Sequence, residues 1–280
     1  MSKRSVVLAI VAGCILLAAA NISLWATHSV FNAERFGILV AEGLQSDRAT
    51  QAIASEVVDH LLAEHPAVRG VAGAVAEDML AALLQRPLIT PAIEAVAAGA
   101  NLVLTTDITD IIPLELQEII PFVVGVVYAI DPDLVDQISA ELSSSPLALL
   151  NPNELPNLRT ASRVLPWLWP LAGLGAVGLF VAAIRYGPDR ANSMIWTGTG
   201  IAITGGLMLL FVPAIRSAST GAITTSMGRI VVGEVVDALL RSYAIQDVLL
   251  IVVGIALYIE GRRRLTNGEV ISLDQGETTV

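Results

Sequence analysis

The chain has 280 residues, of which 54% are hydrophobic and 15% charged, and its mean hydropathy is +0.70. This composition excludes an ordinary soluble domain, in which about a quarter of the residues are charged. The net charge of −10 excludes a basic nucleic-acid-binding protein, and the single cysteine, Cys14, excludes an internal disulfide.

Four apolar runs are long enough to be membrane spans. A helix needs about 20 residues to cross about 30 Å of hydrocarbon at 1.5 Å per residue. The outer end of the fourth run carries Gln246 and Asp247, so its fully apolar part begins at Val248, and we predict that its helix continues outward past the bilayer. The predicted spans are residues 5–25, 165–184, 194–215 and 243–258.

Cationic residues flank these runs at alternate ends, which is the positive-inside pattern and predicts that both termini are cytoplasmic. The cations are Lys3 and Arg4, Arg185 and Arg190, and Arg262, Arg263 and Arg264. Interfacial aromatics agree with this orientation. Trp25, Trp167, Trp169 and Tyr243 are expected at the outer surface, and Tyr186, Trp196 and Tyr258 at the inner one.

The predicted fold is all-α, with four transmembrane helices and a helical extracytoplasmic domain inserted between the first and second spans. Residues 1–25 form the cytoplasmic N-terminus and first span, and residues 26–163 form an acidic helical domain. Residues 164–260 form three spans with a helical extracytoplasmic loop at 216–242, and residues 261–280 form a cytoplasmic tail.

The first run has two alternative interpretations. Residues 3–20 fit a cleaved signal peptide, and the sequence Val-Ala-Gly-Cys at 11–14 matches a lipobox that would lipidate Cys14. The apolar stretch before Cys14 is short for a lipobox, and the chain stays apolar after it. We therefore favour a retained span with Cys14 as a buried thiol.

Residues 26–163 have the pattern of amphipathic helices. Ile53, Val57 and Leu61 form one apolar row in the predicted helix 51–64. Capping and breaking residues divide the segment further. Ser46 and Asp47 are predicted N-caps, Pro66 and Pro87 are predicted to end helices, and Thr90-Pro91 is predicted to open one. Residues 68–85 and 93–104 are rich in alanine and leucine. Asp131-Pro132-Asp133 is predicted to open a helix at 134–142, and residues 143–157 are predicted to form a linker.

The same segment is strongly acidic, with eighteen acidic residues against six arginines between Ala26 and Arg163. Nucleic acid and anionic lipid are therefore disfavoured as partners. A cationic partner or divalent ions fit better, and the base-free segment 87–158 is left open as a cation-binding region.

Two groups of residues are candidate metal sites. Asp131, Asp133 and Asp136 resemble part of a calcium loop, but the turn glycine is missing and Pro132 intrudes, which favours helix capping. His60 and His65 are five residues apart, about 140° around a helix, so their rings point apart and do not share a zinc ion.

Catalytic motifs are lacking in the sequence. There is no Gly-x-Ser-x-Gly elbow, Walker sequence or dinucleotide fingerprint, and the histidines His28, His60 and His65 lie near one end of the chain. We therefore predict no catalytic, cofactor-binding or metal-binding residue, and no cofactor.

Three apolar or membrane features have open interpretations. Gly198, Ala202 and Gly206 form a small-residue face that suits helix packing, within one chain rather than between two, with Ala172 and Ala176 available on the second span. Asp247 is either a functional intramembrane acid or a hydrated interfacial one. The apolar run 119–130 is either domain core, which we favour, or a lipid-contacting surface.

The order of parts and the motif Phe-Asn-Ala-Glu-Arg-Phe at 31–36 resemble the uncharacterised four-span integral membrane proteins common in actinobacteria. The resemblance covers most of the chain, including residues 107–116 and the helix before the fourth span. It implies a bacterial plasma-membrane protein and carries no assigned activity.

The sequence leads to a first hypothesis of a non-enzymatic envelope interaction, scaffold or sensor protein that acts through its extracytoplasmic domain and binds an envelope protein. The alternatives are a protein that binds or handles lipid or another hydrophobic ligand at the outer surface of the bilayer, and an unrecognised membrane enzyme.

Overall fold

The structure, a computed structural model, describes residues 2–63, 66–105, 158–221 and 223–276, and all regular structure in these ranges is helical. A π-helical turn, Ala26–Val30, follows the first helix. The helices are α1 (Lys3–Trp25), α2 (Ala33–Leu44), α3 (Asp47–Leu61), α4 (Pro66–Leu84), α5 (Thr90–Thr105), α6 (Arg159–Tyr186), α7 (Arg190–Gly221) and α8 (Ser226–Gly276).

Four helical stretches are long and apolar enough to cross a membrane, which confirms the all-α prediction with four membrane-length helices. Their most apolar windows have a mean hydropathy between 1.8 and 2.5. The stretches are Lys3–Val30, Arg159–Tyr186, Arg190–Gly221 and Ser226–Thr266. The fourth helix starts well before its apolar run, as the polar residues Gln246 and Asp247 predicted.

Contacts divide the chain into two compact units. We call Met1–Thr27, Val164–Thr224 and Val236–Val280 the span unit, and His28–Arg163 with Thr225–Val235 the helical unit. The start of α8 therefore belongs to the helical unit and the rest of α8 to the span unit.

The helical unit is built from two helix pairs, α2 with α5 and α3 with α4. Glycine allows close approach within the unit, since a Cβ on Gly37 would lie 2.5 Å from the carbonyl oxygen of Glu94 on α5. A side-chain hydrogen bond joins Gln45 Nε2 to Thr90 Oγ1 at 2.9 Å. The backbone carbonyl of Val30 accepts from Asn101 Nδ2 at 2.6 Å.

Several predicted helix boundaries hold and others shift. Ser46 caps α3 by accepting from the backbone N–H of Ala49, as predicted, but α3 covers Asp47–Leu61 rather than 51–64. Pro66 is the first residue of α4, a position where the missing N–H has no helical partner to lose.

Thr90 is the first residue of α5, and its hydroxyl bonds Gln45 instead of capping its own helix. The predictions for residues 107–116, 119–130, 131–136, 134–142 and 143–157 lie outside the described residues.

The span unit has an up-and-down arrangement, because successive contacts between its helices run in opposite directions. On α1 and α6, Gly13 meets Phe180 and Ala20 meets Gly173, so these helices are antiparallel. On α7 and α8, Gly198 meets Gly254 and Gly205 meets Asp247, which is again antiparallel. The start of α1 thus lies at the same end of the unit as the end of α6, the start of α7 and the end of α8.

The small-residue face of α7 packs within the chain, but against α8 rather than α6. A Cβ on Gly254 would lie 2.5 Å from the backbone nitrogen of Ala202 and 2.7 Å from the carbonyl oxygen of Gly198. Gly206, two turns further along, has nothing within 4 Å of its hypothetical Cβ. Close helix contact therefore depends on Gly198 and Ala202, and not on Gly206.

Candidate functional site

The most unusual polar contact in the span unit joins the first and last helices. Asn21 Nδ2 on α1 donates to Asp247 Oδ1 on α8 at 2.7 Å. Asp247 is 0% exposed and Asn21 is 7% exposed. The other carboxyl oxygen, Oδ2 of Asp247, is buried and has no hydrogen-bond partner in the structure. An acid with a hydrogen bond to only one of its two carboxyl oxygens is therefore enclosed between helices.

A neighbouring glycine explains how these two side chains meet, and a methionine lies beside them. A Cβ on Gly205 of α7 would lie 2.9 Å from the carbonyl oxygen of Asp247, so glycine lets α8 come close at this level. Asn21 also lies beside Met208, with 4.0 Å between Nδ2 and the methionine sulfur. The pair is thus held in a mostly apolar setting.

A second tether lies one turn further along α1. Trp25 Nε1 donates to the carbonyl oxygen of Leu239 at 2.9 Å, and its ring meets the ring of Tyr243 edge-on at a centroid distance of 5.4 Å. Tyr243, expected at the outer interface, is 4% exposed and packs in the protein with Met208 and Leu240.

The burial of Asp247 decides between its two interpretations. A hydrated interfacial carboxylate needs contact with water, and this side chain has no exposed surface. Burial favours the interpretation of Asp247 as an intramembrane acid, because α1 and α7 come close to the carboxyl group at Asn21 and Gly205. Ionisable groups enclosed between membrane helices are uncommon and usually functional.

In the helical unit, the notable feature is the outer surface of α4. Val71 is 89% exposed, Val75 61% and Met79 71%. Together with Val68, these residues follow one another at spacings of three and four, which places them on one side of the helix. We call this surface the α4 face.

The opposite side of α4 is also apolar, and it packs against α3. Gly73 and Ala81 are buried there. An apolar side of a helix is normally covered by another element. The described part of the helical unit covers only one side of α4, so the α4 face is a candidate interaction surface.

Charges near the α4 face are acidic. Arg69, the only basic residue of α4, forms an ion pair with Asp59 of α3. Glu77 and Asp78 are the remaining charged residues of α4, and Asp78 borders the face. Arg48 is paired with Glu234 at 3.7 Å. A partner with basic residues around an apolar centre would be complementary.

The candidate metal ligands of the sequence do not form a metal site within the described residues. His60 lies in the last turn of α3, whereas His65, Asp131, Asp133 and Asp136 lie outside the described residues. Among the residues that the structure describes, no three histidine, cysteine, aspartate or glutamate side chains come together as a metal site.

Comparison with protein-family models, with curated proteins and with solved structures finds no match for this chain. The resemblance to actinobacterial four-span proteins therefore stays a prediction.

Proposed function

We propose that this chain is a non-enzymatic, multi-pass protein of a bacterial plasma membrane, with both termini in the cytoplasm. Its acidic helical unit lies outside the cytoplasm and binds another envelope protein through the α4 face. The exposed valine and methionine side chains of that face carry the proposal.

The arrangement of the span unit supports the orientation. The ends that carry Lys3, Arg185, Arg190 and Arg263 lie at one end of the unit, because neighbouring helices are antiparallel. Basic residues gathered at one end of a helical membrane unit favour the cytosol for that end. The links at the other end, including residues 28–163, are then extracytoplasmic.

The exposed apolar area of the α4 face supports an interaction role. Burial of a valine or methionine side chain contributes about 1.5–3 kcal/mol, so three such residues supply enough for a specific contact. Asp78 at the border disfavours anionic lipid headgroups. We therefore assign the face to a protein helix with an apolar centre and basic flanks.

Site-specific crosslinking in native membranes tests this assignment. A photo-reactive amino acid at Val75 is expected to crosslink to one protein, and the same group at Ala95, an exposed position on α5, is expected to give no such product. Val75→Glu in the unlabelled chain should reduce the recovery of that protein at least about tenfold, which corresponds to about 1.4 kcal/mol.

Ala95→Glu is the matched control, because it adds the same charge at an exposed helical position away from α4. Both variants should unfold at the wild-type temperature. Crosslinks from Val75 to lipid alone would contradict the proposal and favour the alternative of lipid or hydrophobic-ligand handling. Equal loss of the partner in both variants would also contradict it.

A further inference from the structure

The enclosed carboxyl group of Asp247 lies against a neutral partner, whereas several other acids of the described residues form ion pairs. Asp59, Asp237 and Glu260 each face an arginine. Asp247 faces the neutral amide of Asn21, and only through Oδ1. Its Oδ2 atom is buried without a partner.

Among the residues that the structure describes, no ion pair joins Asp247 to a basic side chain. The neighbours of the pair on α1 and α7 are Asn21, Gly205 and Met208, which are not ionisable, and the nearby ionisable group on α8 is Tyr243, which packs with Met208. Arg241 is exposed and six residues earlier on α8, about 9 Å along the axis. Arg216 forms an ion pair with Asp237 at 2.9 Å. Asp237 precedes Asp247 by ten residues on α8, which is about 15 Å along the helix axis.

An unpaired carboxylate in such a place is strongly disfavoured. Removal of a charged group from water costs more free energy than one hydrogen bond from a neutral amide contributes. A proton removes the charge and turns the partnerless oxygen into a hydroxyl group. The carboxyl then still accepts from Asn21 through Oδ1.

We propose that Asn21 and Asp247 form a proton-binding site within the span unit, with the proton carried on Asp247 Oδ2. Uptake forms one O–H bond with a proton from the aqueous phase, and no other bond changes. The protonated pair keeps α1 packed on α8. Release of the proton leaves a carboxylate that has to draw in water or a cation, which loosens this contact.

Infrared difference spectroscopy of the full chain in lipid bilayers tests the proposal. The wild type is expected to show a protonated-carboxyl stretching band that disappears as the pH is raised. Asp247→Asn should lose that band. Asp237→Asn should keep it, because this change alters a different acid of α8, which is half-buried and paired with Arg216 of α7.

Asn21→Ala provides a second readout that leaves Asp247 in place. Loss of the hydrogen bond to Oδ1 should shift the frequency of the band. The proposal is overturned if the wild type and Asp247→Asn give the same difference spectrum, or if the band in Asn21→Ala stays at the wild-type frequency. If Asp247→Asn does not fold, the shift in Asn21→Ala decides the question.

Discussion

Gly198→Leu is expected to destabilise the span unit by about 3 kcal/mol or more, since overpacking a tight contact typically costs about 1–3 kcal/mol and here the obstacle is backbone. A Cβ at this position would lie 2.5 Å from both the carbonyl oxygen of Gly254 and the backbone nitrogen of Tyr258. Helices α7 and α8 would have to separate. Thermal unfolding in detergent, followed by circular dichroism, measures the effect.

Gly206→Leu is the matched control. Gly206 lies about two turns from Gly198 and about 80° around α7, and nothing lies within 4 Å of its hypothetical Cβ. This variant should unfold close to the wild-type temperature. Equal destabilisation by the two substitutions would contradict contact with α8 as the cause, because leucine is the better helix former at both positions.

The second large effect is expected at the buried polar pair. Asn21→Leu removes the donor to Asp247 Oδ1, and a buried polar group without its partner costs about 1–3 kcal/mol. Asp247→Leu leaves the Asn21 amide without its acceptor at a similar cost. The double variant replaces both groups by apolar ones, so it should be destabilised by less than the sum of the two single changes.

A double-mutant cycle measures this coupling through the free energies of unfolding in mixed micelles. A coupling of at least about 0.5 kcal/mol is expected for residues in direct contact. Strictly additive effects would contradict the hydrogen bond between α1 and α8.

The sequence predicts the four membrane-length helices well, because hydrocarbon requires long apolar runs that are visible locally. The cap at Ser46 is equally local, since its side chain binds the backbone three residues later. These features can be predicted without knowledge of the tertiary contacts between helices.

Tertiary contacts explain what the sequence could not predict. Asn21 and Asp247 are 226 residues apart, so the only signal was an amide inside an otherwise apolar run. Gly198 and Gly206 were predicted to share one side of the helix, but they lie about 80° apart around it, and only Gly198 meets α8. The alanine- and leucine-rich pattern of 68–85 predicted a helix but not which side of α4 packs on α3.

We expect the arginine-flanked ends of the spans to share the cytosol. Single cysteines at Pro188, between α6 and α7, and at Ala95 on α5 test this in a Cys14→Ser background, since both positions are exposed. With a membrane-impermeant maleimide, intact cells should be labelled at Ala95→Cys, and Pro188→Cys should be labelled only after lysis. Labelling of Pro188→Cys in intact cells, with Ala95→Cys protected, would contradict the account.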